Sequence, residues 1–393
     1  MYGTKPLSLF KSYPEAASEP PPEGQNSGYL VLDDAPDDDS CTDEACCWGT
    51  CCRTRVWELP FPQNRVLTVE YTKRSRTYSE DVVFVPVPDQ PLASNRYYVV
   101  VAKGKHNKKG LVRTCSREGE EDVTLCCCCV QVKDAKPRPF DPTDVYQQME
   151  VVPHRRGQFT ARAVAADGIP CFFYGQKYWL VYFASKPKTF DLGLAQGINA
   201  SLRSATKLAG AALPAATATT TTMATVGKWY CPFFLVKEGD VAPHGQMNRS
   251  VFYEVTLELR WEPVHALSAG GGSKLTSKKA LIGGSVVARQ ESTGSSRRDD
   301  ETYVWFRAPA TRRRIGLCTS VWERMRWEEY RGGWVDEVDD AEKVAAGGGD
   351  SVLVERFVFK RMDGSVAVAF DFVHLNKMTG EKLQDTYSAY ADC

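Results

Sequence analysis

The 393 residues contain no nucleophile elbow, phosphate-binding glycine loop, dinucleotide fingerprint or zincin helix, which removes the usual sequence routes to a reaction. Histidine is scarce. The five, His106, His154, His244, His265 and His374, have no paired spacing and read as structural or surface residues, with His374 continuing the inner face of the last strand. Net charge is missing as well: lysine plus arginine and aspartate plus glutamate both total 49, so no global field draws nucleic acid or an anionic membrane. The basic runs Lys103–Lys109, His154–Arg156 and Arg312–Arg314 lack interleaved aromatics and read as solvated loops. No specific nucleic-acid partner is expected.

The stretch beginning Met1-Tyr2-Gly3-Thr4-Lys5 has no apolar secretory core and no glycine at position two, so the expected compartment is cytoplasmic or nuclear. A long hydrophobic run is also lacking. Leu208–Gly227 is uncharged and about 20 residues long, enough to span a bilayer by length alone. It is mostly alanine and threonine, with Pro214 and no aromatic, and is expected to be a flexible linker rather than a transmembrane segment. Asp37–Asp39 lack the spaced ligands and turn glycine of a calcium loop.

Cysteine is what the chain does concentrate. Ten of its fourteen lie within the first 129 residues, eight of them in two clusters: Cys46, Cys47, Cys51 and Cys52, then Cys126 to Cys129. In a reducing compartment these are free thiols or metal ligands before they are disulfides. Structural zinc takes four thiolate or imidazole ligands as short-spaced pairs from separate segments, which makes Cys46, Cys47, Cys51, Cys52, Cys126 and Cys128 the candidate ligands and zinc the candidate cofactor. On an extended strand Cys126 and Cys128 would share a face. Two other readings stay open. The second cluster could be a core strand in which cysteine serves as a small hydrophobe, or the thiols could be redox-sensitive or lipidated.

The remaining pattern is that of strands. Val66–Tyr71, Val82–Val87, Tyr97–Ala102, Phe159–Val164 and Tyr178–Phe183 are β-branched or aromatic runs separated by turn residues. From Val251 to Trp261 the odd positions are apolar, while Glu254, Thr256, Glu258 and Arg260 face the other way, predicting one buried and one wet face. Val352–Arg361 and Val366–Leu375 flank Asp363-Gly364, which predicts a hairpin with a type I′ turn. Leu192, Ala195, Ile198, Leu202, Ala205 and Ala209 recur at helical spacing and predict a helix that buries them, with Gly210 as its cap. Val321–Trp334 is ambiguous between helix and strand. The expected fold is mainly β: two antiparallel sandwich-like domains with a bridging helix and flexible loops. The boundaries expected are 1–45 for a partly disordered Pro/acidic segment and 46–190 for a β-rich Cys-containing domain. Residues 191–226 follow as helix and Ala/Thr linker, and 227–393 as an antiparallel β-sandwich-like domain.

Several phrases stand out, among them Pro20-Pro21-Pro22-Glu23-Gly24, Asn26-Ser27-Gly28-Tyr29-Leu30, Leu59-Pro60-Phe61-Pro62-Gln63-Asn64 and Ser94-Asn95-Arg96-Tyr97-Tyr98. Further on come Lys136-Pro137-Arg138-Pro139, Asp144-Val145-Tyr146-Gln147-Gln148, Gly227-Lys228-Trp229-Tyr230-Cys231-Pro232-Phe233, Met325-Arg326-Trp327 and Gly332-Gly333-Trp334. Together these phrases resemble a land-plant family known as domain of unknown function 1262. The resemblance brings no reaction, substrate or catalytic residues. Some relatives carry a label borrowed from insecticidal crystal toxins, but this sequence has no amphipathic pore-forming hairpin. The reading that follows is a binding or stress/defence-associated β-rich module whose partner is a protein or small-molecule ligand. A zinc-stabilised or thiol-responsive protein, and a hydrolase or transferase without a recognisable motif, are its rivals.

Overall fold

Runs of β-branched and aromatic residues become strands, most of them paired antiparallel. The computed structural model describes residues 1–35, 54–73, 75–104, 108–117, 124–126, 129–131, 135–155, 157–170, 178–184, 190–211, 223–263, 277–289, 302–308, 313–336 and 351–379. The fold is mainly β. Two compact units form, one from Met1–Ala195 with Tyr230–Phe252, the other from Gln196–Trp229 with Tyr253–Cys393.

In the first unit β1 (Tyr2–Pro6) and β2 (Gly28–Leu32) pair in parallel, Tyr2 opposite Gly28 and Pro6 opposite Leu32. The opening residues of the Pro/acidic segment thus carry a strand that its composition does not announce. Met1 and Tyr2 are buried, and the Tyr2 hydroxyl donates to the Pro86 carbonyl over 2.8 Å. Between these strands α1 (Leu7–Ser12) packs Phe10 with Val31 and Leu92. Polar composition hid this because one backbone ladder and a few buried side chains suffice to order a short segment against a larger body. The acidic stretch from residue 36 onward lies outside the described residues.

The main sheet of this unit has the order β10-β9-β6-β5-β4-β11-β3. Its strands are β3 (Arg55–Val56), β4 (Leu67–Lys73), β5 (Arg76–Pro86), β6 (Arg96–Val101), β9 (Gln148–Pro153), β10 (Phe159–Ala163) and β11 (Leu180–Phe183). β7 (Thr124–Cys126) and β8 (Cys129–Gln131) form a separate two-stranded ribbon. Phe159 and Trp179 each donate a backbone N–H to the other's carbonyl at 3.0 Å, so the β10 edge meets the residue before β11 and the sheet curls around its core. Alternate residues point inward, among them Leu67 and Val69, Val82 and Phe84, Tyr97 and Val99, Met149 and Val151. Phe61 sits among them, its ring centroid 4.7 Å from Phe84 and 5.0 Å from Phe159. In α3 (Pro243–Arg249) the Gln246 amide donates to the Phe233 and Val236 carbonyls.

The second unit holds α2 (Ala200–Ala211) and α4 (Thr319–Arg331) with an antiparallel sheet in the order β16-β15-β14-β13-β18-β17-β12. These strands are β12 (Phe252–Pro263), β13 (Lys278–Ile282), β14 (Ser285–Arg289), β15 (Tyr303–Arg307), β16 (Arg314–Cys318), β17 (Ser351–Lys360) and β18 (Val366–Thr379). The ambiguous segment is helical and stops at Gly332-Gly333; its buried face is Val321, Trp322, Arg324, Met325, Glu328 and Glu329. Trp322 lies 5.6 Å from Phe370 and 6.1 Å from Phe372, which seats α4 on the sheet.

Three local expectations change. The Gly364 N–H bonds to the Arg361 carbonyl at 2.8 Å and Gly364 has φ of 81°, so the β17–β18 corner is Met362-Asp363 with Gly364 at a left-handed bulge position, not a type I′ pair at Asp363-Gly364. The Asp363 side chain accepts from Ser365 N–H and favours this corner. The wet face of β12 is not wet: Thr256, Glu258 and Arg260 are buried, with Lys360 on Glu258 at 3.4 Å and Arg260 on Asp371 at 3.3 Å. Charges that pair across strands can cover a sheet face as apolar residues do. The Ala/Thr linker is shorter than expected, because α2 runs to Ala211 and a strand, Ala224–Pro232, follows; residues 212–222 lie outside the described residues.

Candidate functional site

Glu355 interrupts the apolar strand β17 on the face that also carries Leu353 and Phe357. Across the ladder, Leu353 pairs with His374, Glu355 with Phe372 and Phe357 with Phe370, so Glu355 and His374 are neighbours beneath α4. From α4 come Glu328 and Glu329; from α2 come Arg203 and Lys207. Glu329, Glu355 and His374 have no solvent exposure, and Glu328 has 1%.

Arg203 is the hub. Its Nε donates to Glu355 Oε1 at 3.2 Å and its Nη2 pairs with Glu355 Oε2; Glu328 and Glu329 lie 3.3 Å from Nη1 and Nη2. Nη1 also donates to the Glu328 backbone carbonyl at 3.2 Å. Lys207 reaches Glu355 Oε1 at 2.6 Å and the Gly332 carbonyl at 3.0 Å. His374 Nε2 lies 3.2 Å from Glu329 Oε2 and 3.8 Å from Glu355 Oε1. Within α4, Arg324 at 3.4 Å and Arg331 at 3.9 Å also pair with Glu328.

Burial penalises every charge in this group, and the neighbours decide which survive. Burial alone would raise Glu355, but the charge and hydrogen bonds of Arg203 prevail and hold its carboxyl at about 2. Glu329 goes the other way: burial, then the adjacent Glu355 charge, push it well above the ordinary carboxylate value and favour its protonated form. For Arg203 burial opposes the charge, yet Glu355, Glu329 and Glu328 hold it above its ordinary value.

Ligand atoms of Glu329, Glu355 and His374 lie within 4.8 Å of one another, a spacing a metal ion could use. The donor set does not favour one. Both Glu355 oxygens already accept from Arg203, one of them also from Lys207, so protein cations stand where a metal's charge would be needed. Among the described residues this is the one convergence of carboxylates and imidazole, and it is sealed from solvent.

Residues 23–129 match the family model described as "Protein of unknown function (DUF1262)". Over that segment the chain is similar to the DUF1262 family. The phrases noted from Lys136 onward fall outside the match, as do all the residues of the ionic cluster. No curated protein matches the chain. Among solved structures, one titled "Crystal structure of Cry35Ab1" is similar, with a TM-score of 0.37, 7% identity, and coverage of 81% of this chain and 90% of that one.

The DUF1262 segment contains all six candidate zinc ligands. Cys46, Cys47, Cys51, Cys52 and Cys128 lie outside the described residues. Cys126 ends β7 and its Cα partner is Cys129, the first residue of the antiparallel β8. Cys126 and Cys129 therefore stand opposite each other on two antiparallel strands.

The helix expectation also needs correcting. α2 begins at Ala200, after Leu192, Ala195 and Ile198, and is entered through Asn199, whose side chain accepts from the Leu202 N–H at 2.9 Å. Its apolar residues Leu202, Ala205 and Ala209 are exposed, while Arg203 is buried. Carboxylates beneath the helix, not apolar contacts, chose its inner face. Sequence reading by hydrophobic periodicity missed Arg203, Glu329 and Glu355; the signal that could have found the site is a glutamate at an inward position of β17.

Two outcomes follow from this geometry. Arg203→Met leaves buried carboxylates short of their main cation and is expected to cost about 3–5 kcal/mol in urea unfolding at neutral pH, the range for a broken buried ion pair. The second concerns pH. Because the Glu329 value is raised, its contribution to stability is complete below the ordinary 4.5 and is lost as pH rises toward the folded-state value. Glu329→Gln removes this loss, so thermal denaturation from pH 5 to 8 should show the variant gaining on wild type as pH increases. Parallel curves would mean that Glu329 carries no extra proton. Glu355 acts in the opposite sense, its contribution falling as pH drops from 4.5 through about 2.

Proposed function

We propose that the chain is a non-catalytic binding module which recognises a protein or small-molecule ligand through its surface. The observation that carries this reading is the buried state of the Glu329–Glu355–His374 group: with α2 in place it has no solvent exposure, and its carboxylates are paired with Arg203 and Lys207. Support for a prepared surface comes from Trp57, which is 47% exposed yet held in place. The Arg55 guanidinium lies 4.4 Å over its ring, the Gly157 N–H donates to its carbonyl at 3.0 Å, and Arg55 donates to the Gly157 carbonyl at 2.6 Å. Gly157 has φ of 70°, and a side chain there would strike the Trp57 ring. A rigid, half-exposed tryptophan offers contact area at little cost in conformational freedom. The test compares wild type and Trp57→Ala as bait for ligand capture, alongside ester, peptide, glycoside and phosphate substrates. Capture lost in the variant with no turnover is the expected result. Turnover that disappears in Glu329→Gln or His374→Ala would overturn the reading.

The rival reading as a zinc-stabilised or thiol-responsive protein draws on one observation, the Cα pairing of Cys126 with Cys129, which sets two cysteines of the second cluster opposite each other. A shared site with Cys46, Cys47, Cys51 and Cys52 would give about one zinc per chain. Metal content and free-thiol titration on protein purified under reducing conditions decide it: thiols protected until a chelator is added support a zinc site. Thiols that react at once, with no metal present, rule it out.

A further inference from the structure

An isolated helix shorter than about 12–15 residues is marginal in water and depends on tertiary contacts. α2, at 12 residues, is such a helix, yet it does not dock by apolar burial. Leu202 is 41% and Leu208 73% exposed, and Ser201, Ser204, Ala205 and Ala209 also face solvent. What holds it is Arg203 and, one turn on, Lys207, laid against Glu355, Glu328 and Glu329 and against the backbone carbonyls of Glu328 and Gly332. The receiving surface is built without α2: Glu328 and Glu329 stand on α4, Glu355 on β17 and His374 on β18. α4 is held independently by Trp322 and Met325 against the sheet. Gly332 is part of the fit, since a side chain there would collide with the Arg203 guanidinium.

We propose that α2 is a detachable strap on an acidic groove, and that the groove of Glu328, Glu329 and Glu355 is a docking site for a basic helical segment of a partner protein with arginine and lysine four residues apart. Charge complementarity and geometry set the partner's chemistry, because α2 itself shows what the groove accepts. Two cations one helical turn apart reach the same carboxylate. In the closed state the chain supplies this ligand in cis and the site is masked. Release of α2 hydrates the carboxylates and makes them available in trans. The proposal is independent of surface capture through Trp57, and the two are read by different experiments.

Hydrogen exchange on the wild-type full chain, followed by peptide mass, is the first test. The amides of 200–211 are expected to exchange at least ten-fold faster than those of β17 and β18, because α2 opens alone. Equal protection, with α2 and the two strands exchanging together, overturns the strap. The second test uses a fluorescent peptide copying residues 199–211 as the probe. It should bind the Arg203→Ala/Lys207→Ala full chain at least ten-fold more tightly than wild type, and a peptide with alanine at the same two positions should not bind. A variant with wild-type circular dichroism that ignores the peptide overturns the docking site. If the variant does not fold, hydrogen exchange on the wild type still decides whether α2 opens.

Discussion

The docking of α2 in the second unit depends on one guanidinium. Three carboxylates are removed from water beneath α4, and each would cost several kcal/mol if left alone. Arg203 meets all three within 3.3 Å and Lys207 adds a second cation to Glu355. Attraction at these distances is strong where the dielectric is low, and it offsets desolvation only because the geometry is nearly complete. A second device is the raised value of Glu329: burial and the adjacent Glu355 charge favour its protonated form, which avoids two adjacent negative charges. Replacing such a cluster with apolar residues can be neutral for stability. Its consequence here is specificity of docking, since one helix with one register satisfies it.

The same sheet uses charge on its other face in a different way. Arg356 and Asp371 are direct cross-strand partners, with Nε to Oδ1 at 2.5 Å, and Arg260 joins Asp371 from β12. Lys360 covers Glu258. These pairs lie along the strands and reinforce a ladder already made by the backbone, whereas Arg203 is itself the means by which α2 attaches. The first unit has no comparable arrangement among the described residues of its core, where Phe61, Phe84, Tyr97, Phe159 and Trp179 pack ring against ring.

Much of the β framework was legible before the structure. Val82–Val87 anticipates β5, Tyr97–Ala102 anticipates β6, and the alternation through Val251–Trp261 anticipates β12, because period-two burial is written directly into residue order. β1 was not legible: Tyr2–Pro6 has too few apolar residues to declare itself and is ordered by its pairing with β2. The β17–β18 turn was legible in place but not in type, since the Asp363 side chain and the left-handed Gly364 select the corner together. In the candidate site His374 was assigned to the inner face from its spacing. Glu355 could have been noticed as an inward charge, but nothing local in α2 or α4 says that Arg203 or Glu329 would meet it.

By itself, the sequence determined the strand content, the mainly β class, the DUF1262 resemblance and the absence of recognisable catalytic motifs. These follow from local order, from period-two alternation and from phrases that need no folding to be read. Only the tertiary structure decided which face of α2 is buried, which carboxyl has its value raised, and that Cys126 stands opposite Cys129. Those outcomes depend on residues far apart in the chain: Arg203 and Glu355 are separated by 152 positions, and their pairing reverses what hydrophobic periodicity indicates. A charge buried at one place in a fold decides what another segment must present to it, and no window of sequence contains both.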